Sequence, residues 1–89
     1  MFYVYLLKSR VDGKAYIGYT SDLKRRLAEH NAKKNKSTSY RAPLDLIYYE
    51  VYASQADAEI REQNLKSSAG ARTALNRRIP RSLRLNHFV

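Results

Sequence analysis

Two short runs of β-forming residues stand on either side of an Asp12-Gly13 dipeptide, and this arrangement constrains the fold more than any other feature of the chain. The first run, residues 2–8, is rich in aromatic, branched and leucine side chains, and the second, residues 15–20, is apolar and aromatic. Asp-Gly between two such runs is the strongest short-range signal for a β-hairpin. The sequence therefore predicts two antiparallel strands that pair with each other.

The segment after the hairpin predicts a helix, a loop and a third strand. Thr20 or Ser21 can cap a helix that runs to about residue 31–33, with Asp22 in its first turn, where a negative charge suits the helix dipole. Residues 33–41 are polar and basic and are followed by Pro43, which predicts an exposed loop. Residues 44–53 are rich in tyrosine and branched side chains and predict a third strand.

Two further helices and a basic end complete the prediction. Ser54 can cap a helix over residues 55–68 that Gly70 would close, and residues 71–79 are compatible with a third helix that Pro80 stops. The elements predict one α+β domain, in which a small three-stranded antiparallel sheet is flanked by two to three helices. We assign residues 1–80 to this domain and residues 81–89 to a loosely held, basic C-terminal tail.

The net charge of the chain is strongly positive and unevenly distributed. The formal charge is +9 for 89 residues. No acidic residue follows Glu62, whereas the basic residues Lys66, Arg72, Arg77, Arg78, Arg81 and Arg84 do. Such a surface attracts polyanions by steering and by counterion release, so nucleic acid is the expected partner; the alternative is that the charge serves only solubility. The side chains expected to contact nucleic acid are Lys24, Lys33, Lys34, Lys36, Arg41, Arg72, Arg77 and Arg78.

The composition also excludes several classes of protein. The absence of cysteine excludes disulfides and thiolate-bound structural zinc. No apolar run approaches the roughly 20 residues of a membrane span. The apolar run at the start of the chain is too short and too rich in tyrosine to be a signal peptide. We therefore expect a cytoplasmic protein that does not associate with membranes.

Tyr5 and Tyr16 should share one face of the hairpin. Residues opposite each other in an antiparallel pair point to the same side, so every register that pairs an odd with an even position puts both tyrosines there. A two-residue loop at Asp12-Gly13 would set Tyr5 opposite Thr20, and a wider loop over residues 9–12 would set it opposite Tyr16. A chemical role for the two tyrosines favours the wider loop.

The first predicted helix turns two polar residues toward the body of the protein. At about 100° per residue, Arg26 and His30 fall in the same arc as Leu23 and Leu27. Two interpretations follow. Arg26 either snorkels along the edge of the core beside a half-buried histidine whose hydrogen bonds are satisfied, or both residues serve a functional site.

A carboxylate falls on the buried face of the second predicted helix. Glu62 lies between Ala58 and Leu65 in the helical pattern. Burying a charge is costly unless it is paired or coordinates a metal, so Glu62 is either salt-bridged to an arginine or a ligand of a hard cation. The spacing alone does not decide between them.

Together these residues resemble the GIY-YIG nuclease family, and in particular its short single-domain members. The motifs that carry the resemblance are Tyr3-Val4-Tyr5, Tyr16-Ile17-Gly18, Arg26, His30, Ser37-Thr38-Ser39-Tyr40-Arg41, Leu46-Ile47-Tyr48-Tyr49-Glu50 and Ala58-x-x-x-Glu62-x-x-Leu65-Lys66. They extend over nearly the whole chain. The first triplet departs from the family name, because Tyr3-Val4 stands where the family has Gly-Ile, while Tyr5 stays in place.

The resemblance implies a fold, a reaction and a set of site residues. It implies a small antiparallel sheet flanked by helices, and hydrolysis of nucleic acid, DNA more than RNA, with one divalent cation, Mg²⁺ or Mn²⁺. It further implies a role in DNA repair or recombination, with a protein partner as a possible source of target specificity. The residues implied as catalytic are Tyr5, Tyr16, Arg26, His30 and Asn76, and the implied metal ligand is Glu62.

The chemistry of phosphodiester hydrolysis is consistent with these residue types. Arg26 and the cation would stabilise the growing charge on the phosphate. Tyr16 is the first choice for the base that takes a proton from water, with Tyr5 or His30 as a relay. The alternative function is a non-catalytic nucleic-acid-binding module that keeps the fold, and a third is an interaction protein whose basic tail docks on an acidic partner.

Overall fold

A computed structural model of the chain describes residues 1–36 and 38–83. The elements along the chain are β1 (Phe2–Ser9), β2 (Ala15–Thr20), α1 (Leu23–Asn31), a 3₁₀ turn (Ser39–Arg41), β3 (Leu44–Tyr52), α2 (Gln55–Ser67), α3 (Ala69–Arg78) and the short α4 (Pro80–Leu83). The strands form one antiparallel sheet in the order β2-β1-β3. The predicted α+β fold is confirmed.

The predicted basic tail begins within this range and ends beyond it. Residues 81–83 belong to α4, whereas Ser37 and residues 84–89, including Arg84, lie outside the described residues. The boundary at residue 80 and the loose attachment of the tail stay predictions. In the described part of the chain, no helix is long and apolar enough to cross a lipid bilayer.

The predicted hairpin forms in a register between the two that the sequence suggested. Tyr5 lies opposite Gly18, and Leu7 lies opposite Tyr16. Tyr5 and Tyr16 are therefore diagonal neighbours on one face, as the odd-even pairing requires. Both specific registers that were predicted for Tyr5 are wrong.

The connection between β1 and β2 explains this register. Ser9 N donates to Lys14 O at 3.0 Å, and Gly13 N donates to Ser9 O at 2.9 Å, so residues 10–13 form the turn. Gly13 has a φ of +71°, in the left-handed region that favours glycine. Asp12 accepts a hydrogen bond from Lys14 N at 2.9 Å. The Asp12-Gly13 signal located the turn, but the turn is wider than the dipeptide.

The start of α1 differs from the prediction by one or two residues. Asp22 is the N-cap, since its carboxylate accepts from Arg25 N at 3.0 Å, and it is not a first-turn residue. Thr20 precedes the cap and accepts from Asp22 N at 3.1 Å. Neither Thr20 nor Ser21 caps the helix. A carboxylate at the cap bonds an unpaired amide and also meets the positive end of the helix dipole.

The break between α2 and α3 also differs from the prediction. Ser54 caps α2 as predicted. Gly70 does not close α2, because Ser68 ends that helix and also begins the next one by accepting from Ala71 N at 3.1 Å. Gly70 therefore lies inside α3. Pro80 begins α4, where its missing N–H costs no helical hydrogen bond.

The two faces of the sheet bury different sets of side chains. One face is covered by α2 and α3, and its buried residues are Val4, Leu6, Ile47, Ala58, Leu65 and Leu75. The buried residues of the other face are Tyr5, Leu7 and Leu44, and Tyr16, Leu23, Leu27 and Leu46 pack against them. Side chains alternate along β1, so its even-numbered residues belong to the larger core. Its odd-numbered residues, which include Tyr5, lie on the face toward α1.

Candidate active site

Three aromatic side chains that the sequence analysis singled out meet between the sheet and α1. The Tyr5 hydroxyl oxygen lies 3.0 Å from His30 Nε2. The ring centroids of Tyr16 and His30 are 5.0 Å apart, those of Tyr5 and His30 are 5.9 Å apart, and those of the two tyrosines are 6.4 Å apart. We call Tyr5, Tyr16 and His30 the aromatic cluster.

Gly18 provides the floor on which the Tyr5 ring lies. It is the residue directly opposite Tyr5, so any side chain there would point to the same face. An ideal Cβ at Gly18 would lie 2.6 Å from Tyr5 Cζ and closer still to the hydroxyl oxygen. The Tyr16-Ile17-Gly18 motif therefore contributes one ring to the cluster and the space for the other.

His30 is held at both ring nitrogens. Its Nδ1 lies 2.7 Å from Thr38 Oγ1, and both residues are fully buried. Burial lowers the pKa of His30, and the Arg26 guanidinium lowers it further. A neutral imidazole carries one N–H and one lone pair, so it can accept from the Tyr5 hydroxyl while it donates to Thr38.

Thr38 was not predicted as a site residue. The polar, basic composition of residues 33–41 predicts an exposed loop, and for Thr38, which is fully buried, that prediction is wrong. A single threonine among lysines, asparagines and serines carries no signal of burial. The only available hint was its place in the segment that resembles the family motif after the first helix.

The end of α1 is anchored so that the loop can return to His30. Lys33 has a φ of +61°, and its N–H donates to His30 O at 3.1 Å, which reverses the chain after the helix. Asn31 clamps β3, because its Nδ2 donates to Leu44 O at 3.0 Å and its Oδ1 accepts from Leu44 N at 2.7 Å. These bonds fix the height of the histidine above the sheet.

Arg26 lies one turn before His30, at the edge of the cluster. Its side chain is partly exposed and its Nη1 donates to Glu29 Oε1 at 3.2 Å. Burial raises the pKa of Tyr5 above its ordinary value of 10.0, and the Arg26 guanidinium beside it opposes this rise. The guanidinium therefore lies close to the Tyr5 hydroxyl and is partly exposed to solvent, so it can meet a phosphate.

Glu62 is buried on α2, as the helical pattern predicted. Its side chain is 11% exposed, and its Oε2 lies 3.2 Å from Lys66 Nζ, one turn along the same helix. This partner is a lysine and not the arginine that the sequence analysis considered. The negative charge of Glu62 also contributes to the raised pKa of Tyr5, so the carboxylate lies within electrostatic range of the cluster.

The donor chemistry at Glu62 restricts the metals that could bind. A metal held by protein ligands alone needs several of them close together. In the described part of the chain, no group of three His, Cys, Asp or Glu side chains is arranged in that way. Glu62 offers one hard carboxylate. Mg²⁺ is commonly bound through one or two carboxylates together with waters and substrate phosphates, so Glu62 fits Mg²⁺ and does not fit a structural zinc site.

Asn76 lies apart from the aromatic cluster. It is exposed on α3, at the rim of a small cavity of about 100 Å³ on the face of the sheet that α2 and α3 cover. Leu6, Ile17 and Leu75 are among its neighbours in the lining of that cavity. The catalytic role implied for Asn76 stays a prediction.

Two of the residues predicted to contact nucleic acid, Arg41 and Arg72, bond to other parts of the protein. The predicted basic residues that lie exposed are Lys24, Lys33, Lys34, Lys36, Arg77 and Arg78. Arg41 is only 13% exposed, and its Nε lies 3.3 Å from Asp12 Oδ2 in the hairpin turn. Arg72 donates to two carbonyl oxygens of the last turn of α2, at 2.9 and 2.7 Å. Arg41 and Arg72 therefore also stabilise the fold, and the role predicted for them in binding nucleic acid stays a prediction.

Known proteins resemble this chain in sequence and in fold. The model of the GIY-YIG catalytic domain family matches residues 1–77. UPF0213 proteins of Streptococcus pyogenes serotypes M3 and M5 are 54% and 53% identical over 57 residues, which are 63% of this chain and 61% of theirs. The match thus spans about three fifths of the length of these curated relatives. The solution NMR structure of the UPF0213 protein BH0048 from Bacillus halodurans is 35% identical, with a TM-score of 0.53 over 84% of this chain and 82% of that one.

Proposed function

The chain belongs to the GIY-YIG catalytic domain family, and from that premise we propose that it is a metal-dependent endonuclease acting on nucleic acid, with DNA favoured. One observation carries this proposal beyond the family assignment. The fold gathers Tyr5, Tyr16 and His30 on one face of the sheet, with Arg26 beside them and the Glu62 carboxylate within electrostatic range.

The charges around the cluster suit the transition state of phosphodiester hydrolysis. Negative charge grows on the non-bridging oxygens during in-line attack and on the leaving oxygen. Arg26 is partly exposed and can donate to those oxygens as the substrate approaches. Glu62 would hold the divalent cation, which supplies further stabilisation of the phosphate charge and lowers the pKa of a bound water.

Two hydrogen bonds link Tyr5 to His30 and His30 to Thr38, and this chain of bonds supports a proton relay. Neutral His30 can take the Tyr5 hydroxyl proton at Nε2 while Thr38 holds the Nδ1 proton, so the imidazole becomes charged without turning. The raised pKa of Tyr5 keeps its hydroxyl protonated at neutral pH, so Tyr5 cannot itself accept a proton from water. We therefore keep Tyr16, the more exposed of the two tyrosines, as the base: as a phenolate beside the bound cation, it would take a proton from water.

The proposal is tested by incubating the full chain with labelled single-stranded, duplex and branched DNA and RNA. Each substrate is offered with Mg²⁺, with Mn²⁺ and with chelator. We expect cleavage that requires the metal and that falls by about 10²–10⁴ in Tyr16→Phe, the range that acid-base catalysis contributes. Binding without cleavage of any substrate would favour the non-catalytic module. Cleavage in chelator would refute the metal dependence.

Glu62→Gln tests the metal ligand separately. The change keeps the shape and removes the charge, so metal-dependent cleavage should fall by orders of magnitude. Folding should persist, because the partner Lys66 is 44% exposed and can remain hydrated without the carboxylate. Glu59→Gln is the matched control, since Glu59 is exposed one turn earlier on the same helix. A Glu62→Gln protein that cuts at the wild-type rate would remove Glu62 from the site.

A further inference from the structure

A groove of about 440 Å³ runs beside the aromatic cluster on the same face of the sheet. It is lined by Tyr3, Leu23, Lys24, Leu27, Leu46 and Tyr49. Its volume lies in the range of roughly 300–1,000 Å³ that small-molecule sites occupy. The mechanism proposed above uses none of these side chains.

Two tyrosine rings form the walls of this groove. The Tyr3 and Tyr49 ring centroids are 6.0 Å apart, and the ring planes are inclined at 59° to each other. Tyr49 is 50% exposed, which leaves a large part of its ring available to a ligand. A flat aromatic ligand could stack on one ring and meet the edge of the other, an arrangement that aromatic pairs favour.

The groove lies within reach of the nucleotide next to the reacting phosphate. Tyr49 is directly opposite Tyr5 across β1 and β3, and Tyr3 precedes Tyr5 by two residues on the same strand. Facing residues have Cα atoms about 5 Å apart, and alternate residues of a strand are about 7 Å apart. The groove therefore starts about one or two nucleotide steps from the cluster, given the roughly 3.4 Å rise of a stacked strand.

The charge at the rim matches a nucleotide. Lys24 is exposed there, one turn before Ala28 on α1, and two residues before Arg26. A nucleotide joins a flat apolar base to a phosphate, so its base suits the leucine and tyrosine lining and its phosphate suits the lysine. The chain carries a net charge of +9, which favours a polyanion over a basic peptide.

We propose that this groove binds an unpaired nucleobase adjacent to the scissile phosphate, with the base stacked on Tyr49 and Lys24 contacting its phosphate. The inference rests on the proposed nuclease function and adds a substrate feature to it. In a continuous duplex both faces of each base are covered by neighbouring bases, so only an unstacked base can enter. The enzyme would therefore cut most readily where a base is unpaired.

The test measures binding in chelator, so that it does not depend on cleavage. A single-stranded oligonucleotide carries one 2-aminopurine, a fluorescent base that is quenched on stacking, at successive positions. We expect quenching by the wild-type protein at a limited set of positions. Tyr49→Ala should lose that quenching and bind about tenfold or more weakly, whereas Tyr49→Phe should behave as wild type. Because Tyr49 is exposed, a thermal melt should show that Tyr49→Ala remains folded.

A matched control tests whether the effect requires a tyrosine of the groove or follows from the loss of any exposed tyrosine. Tyr40 is 74% exposed in the 3₁₀ turn and does not line the groove, so Tyr40→Ala should bind and quench as wild type. If Tyr49→Ala also quenches and binds as wild type, the groove is not the site. Quenching without any metal-dependent cleavage would support base binding in the groove and reject the proposed nuclease function. A protein that binds no oligonucleotide would reject both.

Discussion

Gly18→Ala displaces a ring of the aromatic cluster without removing any group that takes part in the chemistry. The added Cβ would lie 2.6 Å from Tyr5 Cζ and closer to its hydroxyl oxygen. The ring must retreat by about 1 Å before the carbon atoms reach the roughly 3.5 Å of ordinary contact. Tyr5 is buried, and the hydroxyl oxygen is 3.0 Å from His30 Nε2, so the ring cannot move that far and keep its hydrogen bond.

The expected effects on stability and on catalysis differ in size. Overpacking a core of this kind costs roughly 1–3 kcal/mol, which lowers the midpoint of thermal unfolding without abolishing the fold. A displacement of about 1 Å at a reacting group can cost about 10²-fold in rate. We therefore expect Gly18→Ala to fold at 25 °C and to lose about 10²-fold in kcat, with a much smaller change in KM.

Gly70→Ala is the control for a glycine-to-alanine change in this protein. Gly70 lies in α3, and the nearest atom to an added Cβ is Ser68 Oγ at 3.7 Å, an ordinary contact. Alanine is favoured over glycine in a helix by about 1 kcal/mol, so Gly70→Ala should melt slightly higher and cleave as wild type. Thermal melts and single-turnover cleavage measure both proteins. Wild-type cleavage by a folded Gly18→Ala protein would refute the reasoning, because Tyr5 would then not need its place over Gly18.

Three further predictions follow from other parts of the structure. Thr38→Val should lower kcat roughly 10- to 100-fold and shift the pH profile of kcat, with little change in KM. Thr38→Ser should retain activity. An unchanged pH profile in Thr38→Val would show that Thr38 has only a structural role. Burial alone would raise the pKa of Glu50, but hydrogen bonds from its arginine and tyrosine neighbours outweigh it and lower the pKa. The stabilisation is thus present above the ordinary value of 4.5 and lost as pH falls below it, so the melting difference between wild type and Glu50→Gln should shrink in acid. Replacing Arg77 and Arg78 by alanine should weaken DNA binding and reduce its salt dependence by about one ion per residue, with cleavage at saturation unchanged; equal salt slopes would place both outside the interface.

The parts of the site that follow from side-chain periodicity could be predicted. The alternation of side chains along paired strands placed Tyr5 and Tyr16 on one face in every register that pairs an odd with an even position, and the observed register is one of these. The helical period turned His30 inward and placed Glu62 on the buried face of α2, and both are buried. Such predictions depend only on the repeat of the local structure, so they survive errors of a residue or two at the ends of elements.

The features that depend on contacts between distant segments could not be predicted. The hairpin register depends on a turn whose width is set by hydrogen bonds at Ser9, and a dipeptide signal does not specify them. The burial of Thr38 depends on how the loop folds back to His30. The ion pair between Arg41 and Asp12 could not be predicted either, because the two residues become neighbours only in the folded chain.

Comparison of the partly buried Glu50 with the buried Glu62 supports the proposal that Glu62 holds a cation. Glu50 is fully engaged: Arg61 donates to both of its oxygens at 2.9 and 3.0 Å, and two tyrosine hydroxyls also donate to it. Among the residues that the structure describes, Glu62 has one ion-pair partner, Lys66, whose ammonium is half exposed. A carboxylate has about four acceptor positions, so Glu62 keeps most of its capacity for a further ligand. Keeping a charge buried with so few partners is costly, and the divalent cation proposed at Glu62 would offset that cost.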